Sequence, residues 1–160
     1  MIKNKVYFAG PLFSKAERNY NQELCIQIEN SGFKVFLPQR DGAEIYKPAY
    51  QEMTQTERNK IIFELDVKQV SDCDIFLFVL DGRVPDEGAC FELGIAYNQK
   101  TQSNSKKLII GLHTDMRASF INSKLNTMIE GAFDKIFKSE KDLIDYLSEI
   151  DKNRIVNLSE

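Results

Sequence analysis

The feature that most constrains this 160-residue sequence is the run DIFLFVL, from Asp74 to Leu80. A strand that is apolar at nearly every position needs cover on both faces of its sheet, which is the situation of a parallel sheet packed between helices. We therefore predict that this strand lies at the centre of such a sheet.

Further apolar runs alternate with helical patterns along the chain, in the order expected of a parallel α/β sheet. The predicted strands are Lys5–Ala9, Phe33–Leu37, Asp74–Leu80, Lys107–Leu112 and Lys135–Phe137. Helices are predicted from Ser14 to Asn30, Thr54 to Ser71, Glu87 to Gln99 and Glu140 to Glu149, a loop and helix over 117–131, a polar loop over 39–52 and a polar tail over 151–160. The pattern predicts one α/β domain, residues 1–160, with a flavodoxin-like (Rossmann-like) five-stranded parallel sheet flanked by helices.

Ligands of such sheets bind at the carboxyl ends of the strands, beside the switch in strand order. The segments that follow the predicted strands are Gly10–Ser14, Pro38–Asp41 and Asp81–Asp86. We therefore expect the functional residues to lie in or near these three segments.

The charges of the chain are nearly balanced. With 21 basic and 24 acidic residues, the formal net charge is −3, and no basic stripe stands out. A surface for duplex nucleic acid is therefore not expected. The apolar runs are too short to span a membrane, and the N-terminal residues lack the apolar core of a signal peptide. We expect a cytoplasmic protein that binds neither nucleic acid nor membrane.

Cysteine and histidine are scarce, which limits the chemistry available to the chain. The three cysteines form no C-x-x-C pair, so neither a disulfide framework nor a cysteine metal site is expected. The single histidine, His113, ends an apolar run and is interpreted as structural, which disfavours a Ser–His–Asp triad and a histidine-based zinc site. The sequence predicts no metal and no cofactor.

Glu92 has surroundings that are unusual for a glutamate. Its neighbours at helical spacing are small or apolar: Gly88, Ala89, Ile95 and Ala96. A helix that is apolar on all sides is predicted to be mostly buried, and an ionised carboxylate there is costly without a partner. Glu92 is then either part of a structural hydrogen-bond network or a carboxylate at the floor of a cleft.

Other acidic residues accompany Glu92 in the predicted fold. Asp86 precedes the same helix and is expected to cap it, whereas Asp66 lies between apolar residues of the preceding helix. Asp66 either faces inward or is solvated, as most aspartates are. Paired carboxylates without histidine suit glycosidic chemistry, because one attacks the anomeric carbon while another protonates the leaving group.

Three segments in chain order resemble the nucleoside 2-deoxyribosyltransferase family. VYFAGPLFS, from Val6 to Ser14, is similar to the family's opening strand and turn. DCDIFLFVLDG followed by PDEGACFELGIA resembles its central strand and its Asp-x-Gly-x-x-x-Glu-Leu-Gly signature. RASFINSKLNTMIEGA resembles its Asn-x-Met segment, so that the likeness spans nearly the whole chain.

The resemblance implies a flavodoxin-like fold and an exchange of bases on 2-deoxyribose through a covalent deoxyribosyl-enzyme. It also implies roles, by position, for eight residues of the chain. They are the nucleophile Glu92, Tyr7 that orients it, Asp86 and Asp66 that handle the base, Phe13 that walls the base pocket, Gln39 that contacts the base, and Asn126 and Met128 that complete a neighbouring subunit's site. The last pair implies a homo-oligomer, commonly a hexamer of paired dimers.

The mechanism that the resemblance implies is a retaining, ping-pong transfer in nucleotide salvage. Glu92 attacks C1′ of a deoxynucleoside, Asp86 supplies or relays a proton to the departing base, and a second free base attacks the same carbon from the original face.

Two alternatives stay open. A 2′-deoxynucleoside 5′-monophosphate N-glycosidase of the same superfamily would resolve the intermediate with water, and its substrate phosphate would require serines, glycines or an arginine after the first strand. That turn, Gly10-Pro11-Leu12-Phe13, is largely apolar, which favours a nucleoside substrate. A non-catalytic nucleotide-sensing module is the other alternative, although a sensor has no need of a buried nucleophile.

Overall fold

The sheet of this protein has five strands, all parallel. The computed structural model describes residues 4–43, 47–102, 106–116 and 125–157, the last seven of these by their backbone alone. The strands are β1 (Lys5–Ala9), β2 (Lys34–Phe36), β3 (Ile75–Val79), β4 (Leu108–Leu112) and β5 (Lys135–Phe137), in the spatial order β2-β1-β3-β4-β5. This is the flavodoxin-like order, and the prediction that the DIFLFVL strand is central is confirmed.

Helices connect these strands within the described residues. They are α1 (Lys15–Asn30), α2 (Pro38–Asp41), α3 (Gln55–Asp72), α4 (Glu87–Gln102), α5 (Thr127–Glu130) and α6 (Glu140–Asn157). A capping box begins α1, because the Ser14 hydroxyl accepts from the Glu17 amide while the Glu17 carboxylate accepts from the Ser14 amide. None of these helices has the length and hydropathy that crossing a bilayer requires.

Two parts of the predicted helix pattern are wrong. The segment predicted as the polar loop 39–52 contains α2 and a 3₁₀ turn, Pro48–Tyr50, which a polar composition conceals. The last helix does not end at Glu149 but continues to Asn157, through residues predicted to form a polar tail. Residues 117–124 of the predicted loop and helix over 117–131 lie outside the described residues.

The two faces of the sheet carry separate cores, because side chains alternate along each strand. Val6 and Phe8 of β1 pack with α1 and α6 on one face. Tyr7 and Ala9 pack with α3 and α4 on the other face. Glu92 belongs to α4, so the alternation of β1 brings Tyr7, rather than its neighbours, to the face that carries the candidate nucleophile.

Helix α4 is less buried than its apolar sequence predicts. Its buried residues within the single chain are Ala89, Leu93 and Ala96, which follow helical spacing toward the sheet. Phe91, on the outer face, is 59% exposed. The prediction that this helix is mostly buried is therefore wrong for one chain alone.

Candidate active site

A cleft of about 860 Å³ opens at the carboxyl ends of β1 and β3. This is the switch point of the strand order, where β1 and β3 are neighbours and their connections leave toward opposite faces. Two of the predicted segments, Gly10–Ser14 and Pro38–Asp41, contribute residues to its lining. The third segment, Asp81–Asp86, contributes Asp86.

The floor of the cleft depends on a glycine after β1. Gly10 has a φ of +153°, a conformation that side-chain-bearing residues rarely adopt. A Cβ at this position would lie 3.1 Å from the Val79 Cβ and 3.2 Å from the Val79 carbonyl oxygen. The glycine therefore allows the turn to press against the end of β3.

Tyr7 and Glu92 form the central hydrogen bond of the site. The Tyr7 hydroxyl donates to Oε1 of Glu92 over 2.7 Å, although the residues are 85 positions apart in sequence. Tyr7 is fully buried, and its ring stacks between Phe36 of β2 and Phe76 of β3, at centroid distances of 5.6 and 5.7 Å. The three aromatic residues are partners in the strand register, so three adjacent strands fix the position of the hydroxyl.

The environment of Glu92 opposes its ionisation. Burial, opposed by the Tyr7 hydroxyl and assisted by the charges of Asp66 and Asp86, raises the pKa of the Glu92 carboxyl to about 7. Burial and the Glu92 charge raise the pKa of the Tyr7 phenol well above its ordinary value, so Tyr7 stays a neutral donor. The pair thus holds a carboxylate that titrates near neutrality.

Asp86 and Asp66 reach the cleft from two different helices. Asp86 caps α4 as predicted, because its Oδ1 accepts from the Ala89 amide over 2.8 Å. Its second oxygen, Oδ2, takes no part in this cap. Asp66 of α3 also lines the cleft, half-buried, which agrees with the inward-facing alternative.

Phe13 and Gln39 line the opposite wall. Phe13 is 75% exposed and lies at the cleft, not in the core. The Gln39 amide is oriented by α1, since its Oε1 accepts from Nδ2 of Asn21 over 3.2 Å and its Nε2 donates to the Arg18 carbonyl over 2.7 Å. A fixed amide of this kind is suited to distinguishing the polar edges of a nucleobase.

Sequence reasoning missed one cation at the cleft. Arg18 lines it, and its Nη1 donates to the carbonyl oxygens of Leu12 (3.2 Å) and Phe13 (2.8 Å). Its position could have been predicted from the sequence, because Arg18 comes four residues after the helix cap, Ser14. The beginning of α1 lies close to the carboxyl end of β1, where the cleft is.

Asn126 and Met128 do not line the cleft of their own chain. Oδ1 of Asn126 accepts from the Met128 amide and caps α5, while Met128 is 84% exposed. Met128 borders a separate apolar groove of about 400 Å³ along α4, together with Leu93 and Tyr97. Their predicted role in a neighbour's site stays a prediction.

Two residues considered at the sequence level are structural in this fold. Asp81 accepts from the backbone and hydroxyl of Thr114 and from the Asp115 amide, which joins the loops after β3 and β4. His113 lies beside Lys138, and burial followed by the Lys138 charge lowers the pKa of its imidazole. Within the described residues, no group of three or more His, Cys, Asp or Glu side chains is placed to hold a metal ion.

Comparisons with known proteins identify the family of the chain and support its fold. The family model of nucleoside 2-deoxyribosyltransferase matches residues 6–145. The chain is 29% identical over 163 residues to an uncharacterized protein of Ureaplasma parvum serovar 3, a likeness that covers 91% of this chain and 94% of that protein.

Solved structures share the fold over most of their length. A conserved protein from Enterococcus faecalis V583 is 28% identical, with a TM-score of 0.72 over 92% of this chain and 99% of that one. The 2-deoxyribosyltransferase of Bacillus psychrosaccharolyticus is 20% identical, with a TM-score of 0.72 over 89% and 91% of the two chains. The CMP N-glycosidase of Clostridium botulinum is 19% identical, with a TM-score of 0.52 over 92% and 99%. At these last two identities the likeness is evidence for the fold alone.

Proposed function

Because the chain belongs to the nucleoside 2-deoxyribosyltransferase family, we propose that it transfers 2-deoxyribose between nucleobases through a covalent intermediate on Glu92. The observation that carries the proposal is the Tyr7–Glu92 hydrogen bond at the cleft, with Asp66 and Asp86 beside it. A half-buried carboxylate that is held by a neutral donor and lines an open cleft is suited to nucleophilic attack rather than to a structural ion pair.

In the first half-reaction, Glu92 forms a bond to C1′ of the donor deoxynucleoside. Tyr7 binds Oε1, so Oε2 is the attacking atom. As this bond forms, the bond between C1′ and the base nitrogen breaks, and its electron pair goes to the base. Asp86 supplies or relays the proton that the base nitrogen takes up, through the oxygen that does not cap the helix.

In the second half-reaction, the acceptor base attacks C1′ from the face that the first base left. The bond between C1′ and Oε2 breaks, its electron pair returns to Glu92, and the proton of the attacking nitrogen goes to Asp86. Two inversions at one carbon give net retention. The Tyr7 hydroxyl remains on Oε1 throughout and disperses the charge that Glu92 recovers.

The direct test is a base-exchange assay with a matched reaction that lacks the acceptor. Deoxyinosine or deoxycytidine is the donor and adenine the acceptor, and deoxyadenosine is the product expected. Intact mass after incubation with the donor alone should show a deoxyribosyl adduct that maps to Glu92. Release of the donor base at the same rate with and without adenine would instead indicate hydrolysis.

The second candidate function is hydrolysis of a deoxynucleoside 5′-monophosphate, and Arg18 is the observation that favours it. Among the described residues that line the cleft, Arg18 carries a positive charge. The phosphate of a nucleotide substrate would need such a partner. If this candidate is correct, Arg18→Gln should lower kcat/KM for a deoxynucleoside monophosphate about tenfold more than for the unphosphorylated deoxynucleoside.

We also propose that a second copy of the chain completes the site, through Asn126 and Met128. This rests on the resemblance, and the exposed apolar side chains along α4 support it. These residues are Tyr97 of α4 and Met128 of α5, which border the same groove. Such a face, uncovered in one chain, is typical of an interaction surface.

A shared site predicts complementation between two inactive variants. One carries Glu92→Ala, and the other carries Asn126→Ala together with Met128→Ala. Random pairing makes half of the dimers mixed, and each mixed dimer has one intact site, so a co-expressed mixture should regain about a quarter of the wild-type activity. Light scattering on each preparation is the control for assembly. A mixture no more active than the separate variants would contradict a shared site.

A further inference from the structure

Helix α2 forms the wall of the cleft that faces the carboxylates, yet it has no stability of its own. It spans four residues, Pro38–Asp41, and its Pro38 and Gln39 line the cleft with the following Gly42. An isolated helix of one turn does not persist in water, because nucleation costs more than one turn of hydrogen bonds returns. Contacts outside the helix must therefore hold this wall in place.

Arg40 supplies these contacts on the side away from the cleft. Its Nη1 and Nη2 donate to both carboxylate oxygens of Glu29 on α1, over 3.1 and 2.9 Å. Nη2 also donates to the Val35 carbonyl of β2 over 2.9 Å, and Nε donates to Oδ1 of Asp41 over 2.9 Å. One guanidinium thus joins α2 to a neighbouring helix and a neighbouring strand.

Hydrogen bonds within residues 37–42 also stabilise the turn that contains α2. Oδ2 of Asp41, which also accepts from Arg40, accepts from the Leu37 amide over 2.9 Å. The Gly42 amide donates to the Pro38 carbonyl over 2.8 Å, where a Cβ on Gly42 would lie only 2.4 Å from that oxygen. The backbone on either side of Gln39 is therefore held at both ends.

We propose that Arg40 is a positioning residue for base recognition: it does not line the cleft, and it acts through α2 by fixing the backbone from which the Gln39 amide reaches its contacts on α1. The inference rests on the proposed function, in which Gln39 contacts the base. Lysine cannot replace the arginine, because an ammonium group lacks the planar fork that binds Glu29, Val35 and Asp41 together.

The test is equilibrium binding of deoxyinosine and of deoxycytidine by calorimetry, in a Glu92→Gln background that does not turn the ligand over. Arg40→Lys should raise the Kd of the tighter ligand about tenfold, as expected from the loss of about one fixed polar contact. Glu29→Gln keeps the contacts of Arg40 with Val35 and Asp41 and should raise the Kd by a smaller factor, about threefold. The matched control is Lys60→Met, which removes an exposed cation of α3.

A double-variant cycle separates positioning from general destabilisation. If Arg40 acts through Gln39, then Arg40→Lys should change the Kd less than about twofold in a Gln39→Ala background. In wild-type protein the same substitution should raise KM with little change in kcat, since it weakens binding of substrate and transition state alike. Circular dichroism at the assay temperature confirms that each variant is folded.

Two outcomes overturn the proposal. If Arg40→Lys and Glu29→Gln both keep the Kd of the parent protein, α2 does not need these contacts to stay in place. A full tenfold effect that persists in the Gln39→Ala background would show that Arg40 acts by another route. A wild-type protein that neither transfers nor hydrolyses deoxyribose would contradict the proposed function. The role of Arg40 would still be tested, because the binding experiment does not depend on turnover.

Discussion

Replacing Glu92 with glutamine is expected to lower kcat for base exchange by at least about 10³-fold, because an amide cannot form the glycosyl ester. The substitution keeps the size of the side chain, and its amide oxygen can still accept from the Tyr7 hydroxyl at the position of Oε1. Loss of activity would therefore report on chemistry rather than on a disturbed fold. Single-turnover assays with deoxyinosine or deoxycytidine measure the loss.

The same variant is expected to be more stable than the wild type in alkaline solution. The pKa of Glu92 rises from the ordinary 4.5 to about 7 in the folded protein. Between these values the folded state binds more protons than the unfolded state, so the free energy of unfolding falls as the pH rises and stays lowered above pH 7. Glutamine carries no charge, so Glu92→Gln should gain about 3 kcal/mol over the wild type at pH 8, and much less at pH 5.

Thermal unfolding at the two pH values tests this, with Glu87→Gln as the matched control. Glu87 lies one and a half turns earlier on α4 but is exposed in its first turn, so its replacement should cost a little stability through the helix dipole and leave activity intact. A Glu92→Gln protein that keeps its activity would remove the nucleophile assignment. One that is less stable than the wild type at pH 8 would show that the carboxylate is a satisfied structural group.

The local sequence pattern was sufficient to predict most of the strands and helices, but not the tertiary contacts between them. The continuous apolar run of β3 identified the central strand, because only cover on both faces explains it. Helix α2 escaped prediction because its stability depends on the pairing of Arg40 with Glu29, a residue of the preceding helix that the local pattern of Pro38–Asp41 does not include. The apolar outer face of α4 was mistaken for core, since composition does not distinguish a buried face from one that awaits a partner.

The site shows the same division between local and long-range information. Helical spacing identified Glu92 as a carboxylate among small residues, and left open whether it is structural. Its partner Tyr7 is 85 positions away, and only the register of β1 with β2 and β3 places the phenol between two rings and toward α4. Resemblance to a family supplied that pairing before the fold was known, whereas Arg18, outside the resembling motifs, was missed.

Replacing Tyr7 with phenylalanine is expected to move the pH dependence of catalysis toward alkaline pH. The hydroxyl of Tyr7 lowers the pKa of Glu92 against the effect of burial, so its removal raises that pKa above about 7. The acid limb of the kcat/KM profile should therefore shift upward by about one pH unit. At pH 6, where the nucleophile is then mostly protonated, kcat/KM should fall by about 10- to 100-fold, since orientation is lost as well.

The ring of the variant should still stack between Phe36 and Phe76, so the sheet has no reason to change. Tyr146→Phe, on α6 at the opposite face of the sheet, removes a phenol from the fold without touching Glu92 and should leave the profile unchanged. Partial recovery of the Tyr7→Phe protein at pH 9 would separate the effect on ionisation from the effect on orientation. An acid limb that stays in place, or moves to lower pH, would mean that Tyr7 does not stabilise the Glu92 carboxylate, and the attacking group would have to be sought elsewhere in the cleft.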